Sequence, residues 1–227
     1  MRPAPALLLS IAAACAAAAC ARASRAEAAA RPVAEAGDAR ATQGDRPLAA
    51  VASQRVVVMP VQTIRADSAG WLRAMSADYR ETLDDELAYA IGERVPGRGW
   101  VFGPAVVRSA ARNQPHAGEP RGLAVPVLEK ARRTPEDPIA EPLASQLRTL
   151  VALGGGRFAL VPVEARFEPA AAGATAGARL ALDLALVDAR TARLLWSGTV
   201  RGDAASTFSP ALAAGVAARV ADLIAAR

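Results

Sequence analysis

The feature that most constrains the fold of this 227-residue chain is a pair of adjacent segments whose apolar residues recur at every second position. From Arg179 to Val187, four leucines alternate with small or acidic residues, which predicts a half-buried strand. Residues 193–201 follow a short turn and place Leu194, Trp196 and Val200 on one face. This second pattern predicts an antiparallel partner strand, so we expect a β-hairpin in the core.

The rest of the chain alternates between strand-like and helix-like patterns. Buried strands are short β-branched or apolar runs, and amphipathic helices carry apolar side chains every three or four residues. The sequence predicts strands at 55–61, 100–102 and 158–167, helices at 78–95, 103–111 and 138–153, a short helix at 125–132 within an irregular stretch, and a last helix at 209–224. The order β-α-β-α-α-β-β-β-α predicts an α/β fold, a mixed sheet sandwich of about four to five strands with flanking helices.

The amino terminus has the pattern of a secretory signal peptide, which we assign to residues 1–19. Arg2 precedes an apolar run that is shorter than the about 20 residues of a membrane-spanning helix, and small residues end the run. Ala17-Ala18-Ala19-Cys20 resembles a bacterial lipobox, in which the cysteine is lipidated, and Cys15 is an alternative lipidation site. The competing interpretation is an ordinary signal-peptidase site at Ala21-Arg22-Ala23, before Ser24.

We divide the exported part into a tether and a domain. Residues 20–53 are rich in Ala, Arg, Pro and Gly and have no periodic apolar face, which predicts a flexible tether. Residues 54–227 form a single predicted α/β domain. Ala21 and not aspartate follows Cys20, so the resemblance to sorted lipoproteins implies an outer-membrane lipoprotein that faces the periplasm. Cleavage at the ordinary site would instead give a soluble periplasmic protein.

The hairpin and the first strand together resemble a known fold. The residues that carry the resemblance are Val56-Val57-Val58-Met59-Pro60-Val61, Leu184-Ala185-Leu186-Val187-Asp188-Ala189-Arg190-Thr191 and Leu195-Trp196-Ser197-Gly198. They are similar to the fold shared by the curli-secretion lipoprotein, the lipoprotein activators of penicillin-binding proteins and the TolB amino-terminal domain. The resemblance follows the element order over residues 54–226 and implies a non-enzymatic domain that binds other envelope proteins.

The hairpin motif also has a structural interpretation of its own. We expect Asp188 and Thr191 to bond backbone amides of the turn that contains Arg190. We expect Trp196 to be the large core anchor under the sheet. These four residues therefore indicate a fold and are not assigned to a binding site.

No catalytic, cofactor-binding or metal-ligating residue is assigned, and no cofactor is expected. Asp84-Asp85-Glu86 is interpreted as a solvated helix face, since neighbouring helix positions diverge by about 100°. His116, the single histidine, is expected in a surface loop. Gly154-Gly155-Gly156 is interpreted as a helix stop, because no phosphate-loop Lys-Ser/Thr follows it. Ser197 lacks the Gly-x-Ser-x-Gly setting of a hydrolase.

Charge and resemblance together give an expected function. The net charge of +5 comes from arginines scattered among acidic residues, which argues against nucleic-acid binding. We expect an outer-membrane-anchored lipoprotein that acts as a non-enzymatic adaptor in envelope assembly or peptidoglycan synthesis. The alternatives are a soluble periplasmic subunit of a transport or Tol-like system and, less favoured, an envelope hydrolase. The expected partners are an unidentified envelope protein and the membrane, through the lipid anchor, with self-association left open.

Overall fold

The computed structural model describes residues 46–65, 78–96, 99–170 and 177–224. The strands are β1 (Val56–Val58), β2 (Thr63–Arg65), β3 (Phe158–Pro169), β4 (Ala178–Asp188) and β5 (Arg193–Arg201). The helices are α1 (Asp78–Arg94), α2 (Gly103–Arg112), α3 (Leu128–Arg133), α4 (Leu143–Leu153) and α5 (Ala211–Ile224). Short 3-10 turns lie at Ala49–Val51 and Val125–Val127.

The strands form one mixed sheet in the order β1-β3-β4-β5, and β2 also pairs with β3. β1 and β2 run parallel to β3, with Val56 opposite Phe158 and Thr63 opposite Glu164. β4 is antiparallel to β3 and to β5, so the predicted hairpin is present. The prediction that Leu194 shares a face with Trp196 and Val200 is wrong, because the pairing of β4 with β5 shifts between Leu186 and Val187 and turns Leu194 to the opposite face of the sheet. A mixed sheet of five strands with flanking helices confirms the α/β fold class that the sequence predicts.

The first predicted strand extends further along the sheet than its apolar run. Pro60 interrupts the run, yet the chain stays beside β3. The amide of Met59 donates to the carbonyl of Leu160 at 2.8 Å, and the amide of Gln62 donates to the carbonyl of Pro162 at 3.0 Å. The chain then continues as β2, whose outer residues are exposed and give no alternating apolar pattern to predict it from.

The predicted strand at 100–102 contributes a single bridge to the sheet. Val101 pairs in parallel with Val57. Its carbonyl accepts from the amide of Val58 at 2.7 Å, and its amide donates to the carbonyl of Val56 at 3.0 Å. This segment therefore covers the outer edge of β1 and leads directly into α2.

Helices cover both faces of the sheet and create two hydrophobic cores. The first core lies under α1 and α5, which pack their apolar stripes on alternate residues of the strands. Its fully buried large side chains include Leu83, Leu87, Ile91, Leu160, Leu180 and Leu182. The second core lies on the opposite face, under α2, α3 and α4, and includes Val57, Met59, Leu128, Leu143, Leu147 and Leu150. The two-sided burial explains why β1 is a continuous apolar run.

A β-bulge divides the second face of the sheet. The pairing of β3 with β4 shifts between Pro162 and Glu164. Beyond the bulge the second face is charged and partly exposed, and its ions pair both along β3 and across to β4. Arg166 Nη1 lies 2.6 Å from Asp183 Oδ2, and Arg166 Nε lies 3.1 Å from Glu168 Oε1. The first face keeps its apolar residues through the same stretch.

The folded unit begins earlier than the sequence indicates. The sequence predicts a flexible tether over residues 20–53, but Leu48 and Val51 are buried in the first core. The amide of Leu48 also donates to the carbonyl of Leu223 in α5 at 3.3 Å. The end of the predicted tether is therefore packed, because its two branched apolar side chains fill space beside α5. No helix among the residues that the structure describes is long and apolar enough to cross a membrane.

Candidate functional site

The hairpin motif forms a tightly bonded turn between β4 and β5. Asp188 Oδ1 accepts from the amide of Arg190 at 3.0 Å and from that of Thr191 at 3.3 Å. Asp188 Oδ2 accepts from Arg157 Nη2 at 2.6 Å and from Nε at 3.0 Å. Burial opposes ionisation of this carboxyl, but the bonds from Arg157 and the two amides outweigh it, so the pKa of Asp188 is lowered.

The other motif residues lie around this turn. The side chains of Arg190 and Thr191 are exposed. Trp196 is half-buried and packs against the first core. A Cβ atom on Gly198 would lie 2.6 Å from Trp196 Cζ2, so the glycine is what lets the indole lie flat along β5. Asp188 and Trp196 thus contribute their side chains to the local geometry of the hairpin, whereas Arg190 and Thr191 contribute their backbone amides.

The interpretation of 84–86 as a solvated helix face is wrong for Asp84. This side chain is buried, whereas Asp85 is exposed. Asp84 Oδ1 accepts from the amide of Val61 at 2.8 Å, and Oδ2 lies 2.9 Å from Arg121 Nη1 without hydrogen-bond alignment. Burial raises the pKa of Asp84 to about 6, although the Val61 amide and the Arg121 charge act in the opposite direction.

Gln62 completes this buried polar cluster. Its Nε2 donates to the carbonyls of Pro60 at 2.6 Å and Pro120 at 2.8 Å, and its Oε1 accepts from the amide of Leu123 at 3.0 Å. The cluster of Gln62, Asp84 and Arg121 therefore ties the loop between α2 and α3 to the chain that joins β1 and β2. The side-chain amide of Gln62 is satisfied by backbone groups, whereas Asp84 Oδ2 and Arg121 Nη1 make an ion-pair contact without an aligned hydrogen bond. Bonding of the amide to the protein's own backbone is typical of a structural role.

A cavity of about 210 Å³ opens between α2 and α4, beside the start of β1. We call it the arginine groove; it is lined by Arg55, Val101, Ala105, Val106, Ser109, Arg112, Leu150, Leu153 and Gly154. The valines and leucines form an apolar floor, and the two arginines and the serine are its polar groups. Cofactor and drug-sized ligand sites usually occupy about 300–1,000 Å³, so this groove suits protein side chains better than a cofactor.

The groove is positively charged because Arg55 and Arg112 line it and the segments that build it contain no acidic residue. Residues 46–65, 99–118 and 142–163 include arginines but neither Asp nor Glu. Within the described parts of the chain, no carboxylate lies within ion-pair distance of Arg55 or Arg112. Leu153 on the rim is 36% exposed. Two free guanidinium groups therefore flank an open apolar surface.

The glycine run shapes one end of the arginine groove. α4 ends at Leu153, and Gly155 has a φ of 63°, so the prediction of a helix stop is confirmed. A Cβ atom on Gly154 would lie 2.7 Å from Val57 Cγ2, and one on Gly156 would lie 2.9 Å from the same atom. The run therefore lets the chain turn against β1 without a clash with Val57.

The remaining predicted residues are not brought together. His116 is exposed in a turn, as expected for a surface loop. In the described ranges, no group of three or more His, Cys, Asp or Glu side chains could hold a metal ion. Cys15 and Cys20 lie outside the described residues. The sequence did not predict Gln62, Arg121 or the arginine groove. For the groove, a signal is present in the sequence: the three segments that line it contain no Asp or Glu.

Comparison with known proteins gives only distant similarity. No protein-family model matches the sequence, and no curated protein matches it. The chain is similar to the solved PelC dodecamer from Paraburkholderia phytofirmans, with 13% identity, coverage of 78% of this chain and 91% of that chain, and a TM-score of 0.39. It is also similar to the LpoB C-terminal domain from Salmonella enterica, with 15% identity, coverage of 66% and 84%, and a TM-score of 0.34.

A third solved structure is lipoprotein GNA1162 from Neisseria meningitidis, with 16% identity, coverage of 70% of this chain and 88% of that chain, and a TM-score of 0.33. All three TM-scores lie below 0.5. These similarities concern the course of the chain, and no function of this protein is inferred from them.

Proposed function

We propose that this protein is exported, is anchored to the outer membrane by a lipid on Cys20, and acts as a non-enzymatic binding module of the envelope. The process that it serves is envelope assembly or peptidoglycan synthesis. The support for export and anchoring is the apolar run that ends in Ala17-Ala18-Ala19-Cys20. Cys15 is the alternative point of attachment.

The arginine groove is the observation that carries the binding function. An apolar floor with free cations at its edge is complementary to a protein surface that presents an apolar side chain beside carboxylates. Arg55 and Arg112 approach from separate elements, so a partner must meet both the charge and the shape of the groove. Such a surface selects a partner and performs no chemistry.

The second candidate is a soluble periplasmic subunit of a transport or Tol-like system. It is favoured by Ala21-Arg22-Ala23, which has the small-x-small form of an ordinary signal-peptidase site before Ser24. The binding function of the groove is the same in both candidates, and only the anchoring differs.

Intact-mass analysis of the protein from its own membrane fraction tests the anchoring. We expect a diacylated chain that begins at Cys20, and we expect the lipid to be lost in Cys20→Ala. A diacylated chain that begins at Cys15 would move the anchor to the alternative site. A lipid-free chain that begins at Ser24 would contradict anchoring and support the soluble candidate.

Photo-crosslinking in cells tests the binding function. A photoreactive residue in place of Ser109 lies in the arginine groove, and one in place of the exposed Ser206 serves as control. We expect an envelope protein to crosslink at 109 and not at 206. The crosslink should be lost in Arg55→Gln/Arg112→Gln and kept in Arg133→Gln/Arg190→Gln, which removes the same charge from exposed arginines elsewhere. Equal crosslinking in both double variants would contradict a function of the groove.

A further inference from the structure

The exposed side of α1 carries an acidic stripe, which we define as Glu81, Asp85, Tyr89 and Glu93. The four residues recur every four positions, so they form one row along the helix, about 18 Å long at 1.5 Å per residue. All four are exposed, and Tyr89 is 68% exposed. Within the described ranges, none of the three carboxylates has an arginine or lysine at ion-pair distance.

The acidic stripe and the arginine groove complement each other in charge and in apolar character. The stripe presents a large amphipathic ring among carboxylates, and the groove presents an apolar floor among guanidinium groups. Large apolar side chains that are exposed in the described residues are Tyr89, Leu153 and Leu195. Tyr89 belongs to the negatively charged stripe, and Leu153 belongs to the positively charged groove. Two of the three exposed apolar side chains therefore lie on these two surfaces.

The two surfaces lie on opposite sides of the sheet of one molecule. α1 covers the first core, whereas α2 and α4, which line the groove, cover the second core. Although α1 also contacts α2 within one molecule, no carboxylate of the stripe lies within ion-pair distance of Arg55 or Arg112 among the described residues of the chain. The stripe is therefore available to the groove of another copy.

We propose that the acidic stripe of one copy docks in the arginine groove of a second copy. This inference rests on the proposed function of the groove as a binding surface and names its occupant. Tyr89 enters the cavity between α2 and α4, and the carboxylates of the stripe approach Arg55 and Arg112. Because the two contacting surfaces differ, the contact is heterologous, and repeated contacts close into a ring or continue as a filament.

Charge reversal provides a sharp test, because each surface can be reversed separately. The groove variant is Arg55→Glu/Arg112→Glu, and the stripe variant is Glu81→Arg/Asp85→Arg. Sedimentation velocity of the full chain in detergent measures the assembled mass. We expect the wild-type chain to self-associate, with weaker association at higher salt. Each variant alone should associate at least about tenfold more weakly, which corresponds to about 1.4 kcal/mol.

An equimolar mixture of the two variants is the decisive sample. The basic stripe of one variant matches the acidic groove of the other, and the two unaltered surfaces match as well. We expect assembly to return in the mixture, which a variant that failed to fold could not produce. The matched control is Arg133→Glu/Arg190→Glu, which changes charge by the same amount on exposed arginines outside both surfaces and should assemble like the wild type.

Three results would overturn the proposal. The wild-type chain could remain monomeric, the two variants could assemble as well as the wild type, or the mixture of folded variants could fail to assemble. Crosslinking at position 109 distinguishes a chain that does not self-associate from a groove that binds no partner at all. A groove-dependent crosslink to a different envelope protein, found with a monomeric chain, would keep the binding function and reject self-association.

Discussion

Asp84 Oδ1 accepts a hydrogen bond from the backbone amide of Val61 at 2.8 Å, across a sequence separation of 23 residues. The bond joins the first turns of α1 to the chain between β1 and β2, where a proline has already interrupted the strand. It also places a carboxylate inside the protein, where ionisation is costly. The burial of this carboxyl therefore couples the stability of the fold to pH.

We expect the wild-type protein to lose stability relative to Asp84→Asn as the pH rises. Because burial raises the pKa of Asp84 to about 6, the folded protein holds the proton more tightly than the unfolded chain. The stabilisation is complete below the ordinary carboxyl pKa and is lost as the pH rises through about 6. The relative loss between pH 4 and pH 7 should be about 1–3 kcal/mol.

Urea denaturation of both proteins at pH 4, 5, 6 and 7 measures this difference. Other titrating groups, including Asp188, are present in both proteins and cancel in the comparison. Parallel pH profiles would show that Asp84 ionises normally and would contradict its burial as the cause of the raised pKa.

Replacing Gln62 should loosen the loop between α2 and α3. Gln62→Ala removes the partners of the Pro120 carbonyl and the Leu123 amide, and a buried polar group without a partner costs about 1–3 kcal/mol. Denaturant unfolding should show this loss, and hydrogen exchange should show faster exchange of the Leu123 amide. Gln54→Ala changes an exposed glutamine and should leave both measurements unchanged.

The turn between β4 and β5 should depend on the charge of Asp188. Asp188→Ala leaves two turn amides and Arg157 without their acceptor, and we expect a loss of about 1–2 kcal/mol at pH 7. The folded pKa of Asp188 is lowered, so the wild-type advantage exists above the ordinary carboxyl pKa and is lost as the pH falls through the folded pKa. A constant difference down to acidic pH would contradict this origin. Asp137→Ala alters an exposed aspartate and is the control.

Two glycines should respond in opposite directions to the same substitution. In Gly154→Ala the new Cβ atom would lie 2.7 Å from Val57 Cγ2, so overpacking should cost about 1–3 kcal/mol. In Gly92→Ala nothing lies within 4 Å of the new atom, and the residue lies inside α1. A gain of up to about 1 kcal/mol is expected there, because alanine favours the helix. Thermal unfolding of both variants measures the contrast, and equal shifts would contradict the packing of Gly154 against Val57.

Elements with a strong local pattern were predictable from the sequence. The β4–β5 hairpin follows from alternating leucines and a turn whose aspartate bonds its own amides, and both signals lie within a few residues of each other. The helix stop at Gly154 is local in the same way. β2 could not be predicted, because it is only three residues long, its outer residues are exposed, and its pairing with β3 joins residues about 100 positions apart.

The polar sites depend on distant residues and were harder to predict. Asp84 lies beside an exposed Asp85, and only the amide of Val61 and the charge of Arg121 distinguish the two carboxylates. The arginine groove combines three segments that are far apart in the chain. Its charge comes from Arg55 and Arg112, which no acidic residue of the same segments neutralises, and a missing residue type forms no motif.

The bulge in β3 also fixes how the sheet must be assembled. If Val163 took part in a regular ladder, every later residue of β3 would turn to the opposite face. Glu164, Arg166 and Glu168 would then point under α1 and α5, and three ions would have to leave water. A shift of β3 by one residue relative to β4 is therefore strongly unfavourable, because it would bury these three charged side chains. One extra residue in one strand thus excludes the nearest misfolded pairing of this sheet and makes the native alignment of β3 and β4 unique.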